Sequence, residues 1–110
     1  MRVLEFEVKQ QRLRKQPGCD FSHIVAGTSG YLKAKFNFSP EWDGCKKAAS
    51  FVGEFVVDEC AVMLDENNCC DIPADVLRGG VFRVCVGGVR DDCLIRTNTM
   101  TVKQEVYVNG

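Results

Sequence analysis

The stretch Tyr31-Leu32-Lys33-Ala34-Lys35-Phe36-Asn37-Phe38 decides the fold of this chain. Leu32, Ala34, Phe36 and Phe38 alternate with Lys33, Lys35 and Asn37, which is the period of two that a β-strand imposes on its side chains. One face is apolar and the other charged, so the strand is buried on one side and wet on the other, as antiparallel sheets arrange it.

The same pattern recurs on both sides. Val3-Leu4-Glu5-Phe6-Glu7-Val8-Lys9 puts Leu4, Phe6 and Val8 on one face. Val81 to Val86 does so with Phe82, Val84 and Val86. Lys46 to Phe51 and Cys69 to Ile72 read as extended segments, Glu54 to Leu64 as one or two strands, and Cys93 to Val108 as a long final strand kinked near Asn98. Phe21 to Val25 reads as a strand or the approach to one. Between them lie breaks with physical causes. Pro40 cannot donate to a ladder and Asp43-Gly44 favours a turn. Asp65-Glu66-Asn67-Asn68 is a turn signal, and Asp91-Asp92 turns the chain again. Pro73-Ala74-Asp75-Val76-Leu77 is the only helical turn expected, with proline suited to its first position and Gly79-Gly80 ending it. Many short strands at regular spacing predict an all-β domain over 1–110: an antiparallel two-sheet sandwich, immunoglobulin-like or jelly-roll-like.

At 110 residues the chain is one domain, and its 45% hydrophobic and 26% charged content is that of an ordinary globular protein. Fourteen basic and 15 acidic residues leave a net charge of −1, so no basic field steers it to nucleic acid. No apolar run reaches the roughly 20 residues of a membrane helix, and no h-region follows Arg2, so neither a membrane partner nor a signal peptide is expected. The chain is expected to be made in the cytoplasm. The seven cysteines (19, 45, 60, 69, 70, 85 and 93) are an odd number without zinc-ligand spacing, and read as reduced core residues.

No set of residues reads as catalytic, and no cofactor or metal is expected. His23 has serines, threonines and cysteines available to it, but geometry and not residue presence defines a catalytic pair, and it reads as a surface or capping residue. Asp65 to Asp71 has neither the sixth-position glycine nor the distant glutamate of a calcium loop. Gly79-Gly80 and Gly87-Gly88 precede no helix that could cradle phosphate, and read as turn or bulge glycines. Trp42 has two readings: an exposed aromatic that anchors a partner or stacks on a sugar, or a folded-over plug with its indole N–H bonded to a loop carbonyl. Gln11-Arg12-Leu13-Arg14-Lys15 reads as a solvated edge or hairpin end. Trp42, Arg12, Arg14 and Lys15 are the candidate interface.

Several segments, in order, carry a resemblance. They are Gln11-Arg12-Leu13, Tyr31 to Ser39, Glu41-Trp42-Asp43-Gly44, Lys47 to Phe51, Leu64-Asp65, Cys70 to Leu77, Phe82 to Gly88 and Thr97-Asn98-Thr99. Together they resemble the small N-terminal β-sandwich domain of tail, baseplate and minor structural proteins (baseplate-upper-protein-like) of phages infecting Gram-positive gut bacteria. The resemblance implies a non-enzymatic attachment module of the virion, whose partners are other virion proteins or further copies of itself in an oligomer. Members of that family continue through a Gly/Pro-rich linker, whereas this sequence stops at Asn109-Gly110. Two other expectations stand beside it: a small phage-encoded inhibitor of a bacterial defence protein, and a carbohydrate-binding module using Trp42. Contacts in the leading reading run through sheet edges or a packed apolar patch.

Overall fold

In the three segments with the clearest alternation the chain does what its side-chain pattern demands. The computed structural model describes residues 1–107. Leu4, Phe6 and Val8 of β1 (Arg2–Lys9) and Leu32, Ala34 and Phe36 of β3 (Leu32–Phe38) are buried, with the charged residues between them turned outward. A short β2 (Arg12–Lys15) pairs with β1 on one side, and β6 (Cys69–Asp71) pairs with β3 on the other. The second sheet is built on β4 (Lys46–Gly53) and β7 (Val81–Arg90), which pair along eight residues. Its margins are β5 (Cys60–Met63) beside β4, and β8 (Cys93–Arg96) and β9 (Met100–Lys103) beside β7. The sheets of four and five strands enclose one core, so the protein is an all-β, two-sheet sandwich. Phe6 and Phe36 stack at 5.0 Å between ring centroids within it.

One pairing departs from the antiparallel expectation: β1 and β3 run parallel, in register from Arg2–Leu32 to Val8–Phe38. Parallel neighbours need a long crossover connection, and here the segment between β2 and β3 supplies it. Arg2 holds that segment down, its guanidinium donating to the carbonyls of Asp20, Ser22 and His23. Phe21 to Val25 is therefore not a strand. It is an irregular run that packs Phe21 against Phe6 and forms one isolated parallel bridge, Val25 to Glu105.

Three further expectations need correction. The long final strand is broken: β8 and β9 pair with successive parts of β7, separated by Thr97–Thr99. At the break the Thr97 hydroxyl accepts the Val86 N–H at 2.9 Å, taking the place of a ladder partner. Val108 lies outside the described residues. Gly87-Gly88 is neither turn nor bulge, because β7 runs through both glycines in unbroken register with Ala48 and Lys47. The helical turn at Ala74–Leu77 is present as a 3-10 helix, but Pro40–Trp42 forms a second one.

That second turn folds Trp42 over the end of the sandwich. Its side chain is wholly buried, its indole N–H donates to the Gln10 carbonyl at 2.7 Å, and its ring lies 5.1 Å from Phe38. The plug reading of Trp42 describes its position.

Candidate protein-interaction face

The four residues singled out as an interface do not converge. Trp42 offers no exposed ring to a partner or a sugar. Arg12 and Arg14 stand on the outer face of the four-stranded sheet, at its β2 edge, in register with Lys9 and Glu7. Arg14 is already engaged: its Nε donates to Glu7 Oε1 at 2.7 Å, which holds the Glu7 carboxyl below its ordinary range and raises the guanidinium in turn. Lys15 points to the opposite side, with its ammonium 5.2 Å from the centre of the Phe21 ring. The β2 edge is also partly occupied. The Asn98 side chain accepts the Leu13 N–H at 2.7 Å and donates to the Leu13 carbonyl at 3.2 Å, as a ladder neighbour would. An incoming strand would find those groups taken.

The two outer faces differ in chemistry. On the four-stranded sheet the outward register reads Glu5, Glu7 and Lys9 along β1 and Lys33, Lys35 and Asn37 along β3. A hollow of about 370 Å³ there is lined by Glu7, Lys9, Gln10, Arg12 and Arg14, a solvated polar surface. On the five-stranded sheet the outward register reads Ala48 and Ser50 along β4 and Cys85, Gly87 and Val89 along β7.

Register places these residues in rows. Met63, Ala48, Gly87 and Arg96 lie side by side across β5, β4, β7 and β8, because Ala48 pairs with both Met63 and Gly87 and Gly87 pairs with Arg96. Lys46, Val89 and Leu94 form the row on one side, and Ala61, Ser50 and Cys85 the row on the other. Ala48, Ser50, Cys85 and Gly87 at the centre, with Met63, Val89, Leu94, Lys46 and Arg96 around them, make a trough of about 350 Å³. Met63, Val89 and Leu94 stand 62%, 52% and 65% exposed around it. They belong to no core but line one trough, which makes this face the candidate for contact with another protein. Lys46 and Arg96 are the only charged residues lining the trough. Neither is ion-paired among the described residues. An adjoining hollow adds Arg83 and Glu59.

The buried members of β7 dominate its sequence pattern and mask this face. The signal is in the same segment: the residues between Phe82, Val84 and Val86 and beyond are Arg83, Cys85, Gly87 and Val89, and only the first is charged.

Other groups have structural occupations. His23 Nδ1 lies 3.1 Å from Glu105 Oε1 at the surface, and the Tyr107 hydroxyl donates to the other oxygen at 2.8 Å. These contacts, the Tyr107 bond first, lower the Glu105 carboxyl from its ordinary range. Asp65 Oδ1 accepts the N–H groups of Asn67 and Cys69 at 2.8 and 2.9 Å, so this acid holds its own turn. Of the seven cysteines, all free thiols, only Cys70 is fully in the core. The expectation of core cysteines is corrected for the other six: Cys60, Cys69 and Cys85 are half-buried on strands, Cys19 and Cys45 half-buried in connecting segments, and Cys93 is exposed. Cys69 and Cys70 point to opposite faces of β6, and burial pushes the Cys70 thiol up to about 12. Among the described residues no three His, Cys, Asp or Glu side chains converge as a metal site, and no helix is long and apolar enough to cross a membrane.

Compared with known proteins, the sequence matches no family model and no curated protein.

Proposed function

We propose that this chain is a non-enzymatic assembly module of a phage particle, a tail, baseplate or decoration component, that works through protein–protein contacts. The apolar trough on the outer face of the five-stranded sheet carries the binding part of this reading. Met63, Val89 and Leu94 are held out of the core by the register of three different strands, and lose contact with water only when another surface covers them. The phage setting is supported by the resemblance of Tyr31 to Ser39, Cys70 to Leu77 and the other matching segments. A sugar-binding role through Trp42 has nothing in its favour, since stacking needs an open ring face and Trp42 has none.

The test is mass spectrometry of purified particles of the phage that encodes the chain. The chain is expected at a level comparable to other structural components. Leu94→Glu should lower its incorporation by about tenfold or more, as loss of a buried contact at an interface does, while Arg14→Ala leaves it unchanged. Absence of the chain from the particles would overturn the proposal.

A further inference from the structure

The trough on the five-stranded sheet has a shape and a charge that select its occupant. Its floor is the face of a sheet, where the backbone N–H and C=O groups of β4 and β7 are turned sideways toward the neighbouring strands, and at Val86 toward the Thr97 hydroxyl. An extended peptide laid there would bury its own backbone groups without partners, which costs more than its side chains recover. An element that satisfies its backbone internally has no such penalty. The backbones of β5 and β8 are three inter-strand spacings apart, roughly 14 Å. An α-helix with its side chains is about 10–12 Å across. The floor of Ala48, Ser50, Cys85 and Gly87 lets a helix approach closely, while Met63 and Leu94 flank its sides. The charges lining the trough, Lys46 and Arg96, are both cationic and unpaired among the described residues.

We infer that the trough binds an amphipathic α-helix of another protein, apolar on its inward stripe and flanked by aspartate or glutamate, in the helix-in-groove manner. This rests on the proposed binding role of the same face. A second copy of the chain fits less well, since sheet-to-sheet stacking would gather Lys46, Arg83 and Arg96 from both copies into one layer, with Glu59 the one carboxylate of these two hollows and Asp65 and Glu66 in the next one, beyond Lys46 and Met63.

The experiment uses stabilised synthetic helices of about 15 residues with one leucine stripe. One carries glutamates beside the stripe and one carries lysines. A third is a scrambled sequence of the glutamate peptide without a stripe. Binding is followed by amide chemical shifts of the full chain. The glutamate helix should bind at least about tenfold more tightly than the other two at low salt, with shifts confined to β5, β4, β7 and β8. Gly87→Gln, whose side chain rises from an open floor position with only the Ile95 carbonyl 3.8 Å from the added Cβ, should abolish binding in a folded protein. Arg96→Glu should reverse the preference between glutamate and lysine. Equal binding of the three peptides, shifts on the four-stranded sheet, or self-association through this face by light scattering would overturn the inference. Failure here with normal incorporation into particles, still lost in Leu94→Glu, would sink the helix and leave the binding face standing.

Discussion

The indole of Trp42 lies flat against Gly88: a Cβ at position 88 would sit 2.9 Å from both Cε3 and Cζ3 of the ring. Two consecutive glycines thus serve opposite sides of one strand. Gly88 faces inward and makes room for the plug, while Gly87 faces outward and floors the trough. Gly88→Ala should cost about 1–3 kcal/mol of unfolding free energy, as overpacking a tight core does. Gly87→Ala, which meets nothing closer than 3.8 Å, should change stability by less than about 0.5 kcal/mol, the range of ordinary surface substitutions. Urea unfolding followed by tryptophan fluorescence separates the two.

Asn98 and Leu13, 85 positions apart, are joined by two hydrogen bonds through the asparagine amide. Asn98→Ala removes both and leaves the Leu13 backbone groups without those partners, at a cost of about 1–3 kcal/mol. Hydrogen exchange at the Leu13 amide should accelerate more than at Val8, which lies inside β1. Unchanged protection at Leu13 would show that the amide is not its partner in solution.

Thiol reactivity should follow exposure and ionisation together. Cys93 is exposed and should be alkylated first; Cys70, buried with its thiol pushed up to about 12, should react only on unfolding. Mass spectrometry of the folded chain under brief alkylation gives the order directly.

Acid should destabilise the domain. Glu7, Asp20, Glu41 and Glu105 all have carboxyls lowered from their ordinary values, chiefly by side-chain hydrogen bonds from Arg14, Ser22, Ser39 and Tyr107. A group with a depressed folded value contributes stability above its unfolded value and loses it as pH falls through the folded one. The thermal midpoint should therefore be level from neutrality to about pH 5 and drop below about pH 4. A midpoint that rises on acidification would contradict those hydrogen bonds.

The sandwich was legible because alternation at Leu4 to Val8, Leu32 to Phe38 and Phe82 to Val86 encodes burial directly, and the structure buries those residues. The turns at Asp65 to Asn68 and Asp91-Asp92 were legible from local chemistry. What escaped the sequence was set at long range. The parallel β1–β3 pairing comes with a crossover that Arg2 holds from some 20 residues away in sequence. Gly87 and Gly88 look like punctuation until Trp42 is seen over one of them. The trough escaped because its residues come from four strands, and no single segment displays Met63, Gly87 and Leu94 together. Arg12 and Arg14 stand out in the sequence by charge alone, and Arg14 is satisfied by Glu7.

The most direct test of the account places a photo-crosslinking amino acid at position 94, on the trough, and in a second variant at position 12, on the opposite sheet. Both are irradiated in assembled particles, and the crosslinked products are mapped by mass spectrometry. The account predicts a crosslink from position 94 to a different protein and none of comparable yield from position 12. Crosslinks from position 12 alone, or from neither, would contradict it.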